Sequence, residues 1–253
     1  MNSTSSIKID LTGKIALVTG GTRGIGKAIG EQMMKAGAQV ILTGTKEEEI
    51  NSLNESKKSL KLSYKAVDFS ENKSILLFLD WIKGLGKIDI LINNAGVNRI
   101  NLNIDTITED YDYLNKINLK TPYLLCREVS KLMKTNNYGR IVNISSIWSS
   151  ITKPGRSLYS LTKWGLIGLT KTLAIELAED NILVNSVSPG FTLTELTTST
   201  NTPEEIKTIA EMIPIKRMAQ PIEIANLVLF LSSDLNSYLT GQNIIIDGGY
   251  TNV

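Results

Sequence analysis

The sequence predicts an α/β fold: a single domain made of one doubly wound parallel sheet with helices on both faces. Three observations carry this expectation. Short apolar runs rich in β-branched residues recur down the chain, with helical spacing of apolar residues between them; strand–helix alternation of that kind builds a parallel sheet covered on both sides. The first run passes through the glycine-rich turn GGTRGIG straight into a helix. The length of 253 residues, 42% hydrophobic and 21% charged, suits one domain over residues 1–253, and no linker, repeat or low-complexity block divides it.

Residues 1–11 are polar, lack an apolar signal core and read as a flexible tail rather than a targeting segment. Lys14–Thr19 is the first strand, and a helical pattern runs from Ile25 to Ala36. Between them Gly20, Gly21, Gly24 and Gly26 allow close backbone approach, and the helix start offers free amides and a positive dipole end to a phosphate. The spacing Gly20-x-x-x-Gly24-x-Gly26 differs from the usual Gly-x-Gly-x-x-Gly, but a strand–turn–helix context favours a dinucleotide site.

The second strand, Gln39–Thr43, decides the type of dinucleotide. An acidic residue at its end would grip the ribose 2′-hydroxyl of NAD. Here Gly44, Thr45 and Lys46 precede the first carboxylate, Glu47, and Arg23 sits in the glycine turn. The charge suits a 2′-phosphate, so NADP(H) is expected and NAD(H) is the less favoured partner. Leu60–Val67 is the third strand; Asp68 behind it would face an adenine amino group or cap the following helix, Ile75–Leu85. Ile88–Ile92 is a fourth strand, and Asn94, Ala95 and Gly96 after it let the backbone pass beside a flat ligand. Residues Ile107–Met133 read as one or two helices with Asn118 inside them, unfavourable there unless it hydrogen-bonds something.

Ile141–Ser145 is a buried strand ending at the pair Ser145–Ser146, and from Tyr159 to Leu177 the apolar spacing is helical. Tyr159 and Lys163 are four apart and share a helix face. A free phenol, with a pKa near ~10, is a poor base at neutral pH; an adjacent ammonium would bring it toward useful proton transfer, while Ser146 would bond the same substrate oxygen. Ile182–Val187 is followed by Ser188-Pro189-Gly190, then by residues 191–215, Thr-rich and then helical, which read as a mobile substrate flap. Helix Pro221–Ser232 and strand Asn243–Ile246 complete the chain.

Composition removes whole classes of chemistry. There is no histidine, which excludes Ser-His-Asp hydrolysis and His-ligated metal sites; no metal is expected. A net charge of +2 argues against nucleic acid or a membrane surface. No apolar run approaches the roughly 20 residues that span a bilayer. The single cysteine, Cys126, allows no internal disulfide and makes a reducing, cytoplasmic setting the default.

Taken together, TGGTRGIG, NNAG, Ser146 with Tyr159-x-x-x-Lys163, Pro189-Gly190, RMAQPIEIA and TGQ…DGG resemble the short-chain dehydrogenase/reductase family, in its ketoacyl reductase-like branch, over about residues 12–250. The resemblance implies a Rossmann-like fold and a catalytic tetrad of Asn118, Ser146, Tyr159 and Lys163. It also implies cofactor contacts from Gly20, Thr22, Arg23, Gly24, Ile25 and Gly26, from Thr45 and Lys46, and from Asp68 and Phe69 beside the adenine. Further contacts would come from Asn94, Ala95 and Gly96, from Tyr159 and Lys163, and from Pro189, Gly190, Thr192 and Thr194. The implied reaction is reduction of a ketone, 3-oxoacyl thioester-like or another small carbonyl, with Tyr159 donating the proton and Asn118 fixing a water near Lys163. The alternative is a sugar, polyol or secondary-metabolite ketone not held on acyl carrier protein. Two departures bear on this. Asn137 and Asp180 stand where carrier-reducing members present basic residues, leaving Lys131 or Lys134 as substitutes. Thr192 replaces the usual aliphatic residue.

The pocket walls are expected in residues 148–157 and the flap, with Trp148 and Arg156 as possible substrate contacts. Leu119, Tyr123, Leu124, Val129 and Leu132, and Leu166, Leu169, Leu173 and Leu177, give two helices more apolar surface than one buried face needs. The resemblance implies that these helices pair with their copies in a homotetramer.

Overall fold

In chain order the strands are β1 (Ile15–Val18), β2 (Gln39–Gly44), β3 (Leu62–Ala66), β4 (Ile90–Asn93), β5 (Gly139–Ile144), β6 (Ile182–Pro189) and β7 (Asn243–Ile246). In the computed structural model, which describes residues 8–56 and 61–253, they form one sheet in the order β3-β2-β1-β4-β5-β6-β7, every pair parallel. The helices are α1 (Gly24–Lys35), α2 (Glu47–Ser56), α3 (Asn72–Gly84), α4 (Thr108–Asn115), α5 (Thr121–Asn136), α6 (Ser157–Glu176), α7 (Glu195–Thr200), α8 (Pro203–Met212) and α9 (Pro221–Leu231).

Side chains alternate across each strand, and both sides are apolar. Ala16 and Val18 of β1 enter a core with Ile29 and Met33 of α1 and Ile224 and Val228 of α9. Leu17 between them faces the opposite core, with Phe78 and Ile82 of α3, Leu125 and Val129 of α5 and Ala174 of α6. This explains the strands' unbroken apolar runs: neither face is left for water. No helix of the described residues is long and apolar enough to cross a membrane.

Several expectations need correction. The tail expected over residues 1–11 lies outside the described residues for 1–7, but Leu11 is anchored: its amide donates to the Ala36 carbonyl at 2.7 Å and its side chain is buried. Residue 60, the expected start of the third strand, also lies outside the described residues. Asp68 is not the helix cap. Its Oδ1 accepts from the Ser70 amide at 2.8 Å, and α3 begins only at Asn72. Val129, Leu166 and Leu177 are buried in the chain's own core, so the apolar excess on α5 and α6 is carried by Tyr123, Leu161, Trp164 and Ile175.

The segment expected as one or two helices is α4 and α5 joined through a π-helical turn at Lys116–Lys120, with Asn118 at its centre. Such turns insert an extra residue at the cost of regular bonding and concentrate at functional sites. The sequence supports it: Thr121 Oγ1 donates to the Lys116 carbonyl at 2.9 Å, and Pro122 has no N–H to return to the Asn118 carbonyl four residues earlier.

Candidate active site

The carboxyl ends of β1 and β4 lie side by side where the strand order reverses, the crevice in which open α/β sheets bind ligands. The loops there are stitched together. Thr19 Oγ1 accepts the amides of Asn94 and Ala95, both at 2.9 Å, while Asn94 Nδ2 donates to the carbonyls of Thr19 at 2.9 Å and Gly20 at 3.1 Å. Gly20 and Gly21 give their amides to the Thr43 hydroxyl and carbonyl. Sequence reasoning missed Thr19 and Thr43, whose only signal is a hydroxyl closing an otherwise apolar strand.

A dinucleotide fits this crevice. Gly20 and Gly24 have φ of +64° and +54°, the left-handed region that favours glycine. A Cβ on Gly26 would overlap the Gly20 carbonyl oxygen and Asn94 Nδ2. The α1 N-terminus has no side-chain cap and no acid in its first turn, so its amides remain for an anion. Arg23 and Lys46 are exposed and make no ion pair among the described residues. Thr45 is exposed beside them; Thr22 lies over Gly44 and Ile25 packs on the core below, leaving its backbone toward the turn. Phe69 follows β3. Its ring is buried edge-on to Phe78, centroids 5.9 Å apart, so only its backbone can flank an adenine.

Beyond the crevice, Gly96 lies against two of the expected catalytic side chains: Asn118 Oδ1 and Lys163 Nζ are 3.5 and 3.6 Å from a Cβ built on it. Lys163 is 3% exposed, and its ammonium donates to the Ile144 carbonyl at 2.8 Å. Ser145 fixes the same helix by donating to the Lys163 carbonyl at 3.1 Å. Burial without a counter-ion pushes the Lys163 pKa down to about 8. Tyr159 rises above the usual phenol value because burial dominates, with a hydrogen bond from Ser146 and the charge of Arg156 opposing it. Arg156 is thus one cation acting against the phenol's burial; the Lys163 ammonium lies over the same ring, 5.5 Å from its centroid, and donates to Ile144. Arg156 stands three residues before Tyr159, a helical spacing that would have predicted it.

Asn118 finds the partners its position demands. Its Oδ1 accepts the Val97 amide at 2.8 Å, and its Nδ2 donates to the Val97 carbonyl at 2.8 Å and Thr162 Oγ1 at 3.2 Å. The flap closes the far side. Thr194 accepts from the Thr197 amide to cap α7, and its methyl lies 3.5 Å from a Cβ built on Gly24. Thr192 bridges Ala219 through its backbone, and Gly190 lets β6 pass against Asp247. Pro189 ends β6 at the same mouth.

An uncapped glycine turn at the sheet's switch point, next to a half-buried Tyr159 and a buried Lys163, defines a dinucleotide-dependent oxidoreductase. Comparison with known proteins narrows the class. The model of the family described as Enoyl-(Acyl carrier protein) reductase matches residues 20–251. The chain is 43% identical over 248 residues to the 3-oxoacyl-[acyl-carrier-protein] reductase FabG of Aquifex aeolicus, covering 96% of this chain and 99% of that one. It is 41% identical over 242 residues to its namesake in Rickettsia bellii, covering 95% and 98%. Its structure resembles a gluconate 5-dehydrogenase from Burkholderia cenocepacia, solved in complex with NADP and tartrate, at a TM-score of 0.89 and 28% identity, covering 96% and 97%. The chain belongs to the short-chain dehydrogenase/reductase family.

Proposed function

We propose that this enzyme reduces a ketone to a secondary alcohol with NADPH, and that Tyr159, Ser146, Lys163 and Asn118 do the work. The observation that carries this reading is the convergence of Ser146 and Tyr159 at the crevice mouth, with Lys163 buried beneath. The cofactor, held by Gly20 to Gly26, Asn94 to Gly96, Pro189 to Thr194 and the ribose contacts of Tyr159 and Lys163, supplies the hydride when bound. Ser146 donates a hydrogen bond to the substrate oxygen, where negative charge develops, and Tyr159 gives that oxygen its proton. Lys163 restores the phenol's proton. The Asn118 side chain is spent on Val97, so a water feeding Lys163 would be held at its main-chain carbonyl, from which Pro122 removes the usual donor four residues on. The test is NADPH oxidation with acetoacetyl thioesters, quinones, sugar ketones and small diketones; no turnover of any would overturn the reading.

Arg23 and Lys46 support NADP(H) over NAD(H). A charge-assisted contact to a 2′-phosphate is worth about 1.5–3 kcal/mol. Arg23→Ala and Lys46→Ala are each expected to raise KM for NADPH about tenfold or more with little change for NADH. A wild type preferring NADH would reverse the assignment.

One observation favours a substrate free of acyl carrier protein. Lys134 pairs with Asp180 at 2.7 Å, and Lys131 and Arg127 share the one carboxylate of Glu128, so of three cations only one net positive charge is left to offer an acidic carrier. Equal kcat/KM for carrier-bound and free thioesters would agree. The buried single cysteine suits a cytoplasmic setting. Exposed Tyr123, Leu161 and Trp164 on α5 and α6, beside a shallow cavity lined by Leu119, Gly165 and Leu169, suit a homotetramer in which these helices meet their copies. Sedimentation equilibrium at micromolar protein is expected to give about four subunits' mass; a 27.8 kDa species would refute the interface.

A further inference from the structure

We infer that the substrate of this site is an anion, and that Arg156 receives its carboxylate or phosphate group while Tyr159 serves its ketone. The inference rests on the ketone-reductase reading and adds the substrate class. Arg156 is placed at some cost. Its Nε is buried without a hydrogen-bond partner. Its guanidinium makes no ion pair among the described residues and rests only on the Trp148 ring, 5.2 Å from the centroid. Only Nε is enclosed; the side chain is half-buried, and the rest of its head stays open for a ligand. Here desolvation lowers its pKa, and Tyr159 is the one ionisable side chain acting on it.

The neighbourhood adds to the positive field. Lys153 lies 5.4 Å from the same Trp148 ring, likewise without an ion pair. Arg156 also occupies the N-cap position of α6, whose first turn has no acid; a cation is disfavoured at that end and an anion is favoured. Asp110 of α4 is committed to Arg99 and Asn101 of the facing loop. Gly155, at φ +80°, brings this segment against Ile100 of that loop, 3.0 Å from a built Cβ. A row of rings, Trp148 to Phe191 to Tyr250, walls the other side. One bound anion would meet the orphaned guanidinium, Lys153 and the helix end together, within one arginine's reach of the phenol.

The test uses matched ketones with NADPH: levulinate and acetoacetate, each against its methyl ester, and dihydroxyacetone phosphate against dihydroxyacetone. The wild type is expected to show a kcat/KM at least about tenfold higher for the charged member of the preferred pair, chiefly through KM. The preferred pair tells carboxylate from phosphate. Arg156→Gln should abolish that ratio and Arg156→Lys restore part of it. Any influence of Arg156 on the Tyr159 proton affects both members and cancels. A wild type indifferent to charge, or a ratio that survives in Arg156→Gln, overturns the inference. A second arm needs no turnover: calorimetric titration of the cofactor-free protein with tartrate, expected to bind at least about tenfold more weakly to Arg156→Gln. Tartrate binding through Arg156 with no ketone reduced would sink the reductase reading and leave the anion subsite; ketone reduction with neither charge preference nor tartrate binding would do the reverse.

Discussion

Tyr159→Phe is expected to bind cofactor as the wild type does and to lose about 10³-fold in kcat, the middle of the range for removing a general acid. The ring stays, so packing is kept; only the hydroxyl that Ser146 bonds and the substrate oxygen needs is gone. Stopped-flow or steady-state NADPH oxidation, together with a cofactor titration, separates the two effects. Wild-type turnover in the variant would remove the mechanism. The same proton path fixes the pH profile. Lys163 is held near pKa 8 by burial, so it is protonated below that value and can return a proton to the phenol. Ketone reduction is therefore expected to be level below about pH 8 and to fall above it, while alcohol oxidation rises through the same window.

Gly26→Ala is expected to be the more damaging of two glycine substitutions. A methyl at Gly26 would overlap the Gly20 carbonyl oxygen and Asn94 Nδ2, the pair that ties the first loop to the fourth. Neither is the loose end of a long side chain, so a loop must move. Overpacking of this kind costs about 1–3 kcal/mol, and the displaced turn is the one that would hold the pyrophosphate. Gly24→Ala meets only Thr194 at 3.5 Å and is limited to the strain of φ +54°. Urea denaturation and cofactor titration of both variants check this; equal, small effects would mean that the two loops are not rigidly joined.

The chemistry-bearing residues were legible because their signals are local. A strand–glycine turn–helix, the absence of an acid after the second strand, and a Tyr–Lys pair one helical turn apart each need only a few neighbouring residues to be read. The sheet class was legible for the same reason: strands covered on both faces carry continuous apolar runs wherever they occur. What depends on residues far apart was not legible. Phe69 reads as an adenine neighbour, but only the folded chain shows its ring packed on Phe78, leaving the backbone for that contact. Asn118 reads as a polar residue in need of a partner, but only the folded chain places Val97, 21 residues earlier, against both ends of its amide. Lys163 was expected to tune Tyr159; only the folded chain shows its ammonium 5.5 Å from the phenol ring, both groups pushed by burial toward their neutral forms, and Arg156 as a further cation beside them. By itself the sequence determined which groups are present and on which element each lies. The tertiary structure decided which of them are dry, which are already satisfied, and which single cation is left beside the phenol without a partner, because desolvation and hydrogen-bond completion are properties of packing.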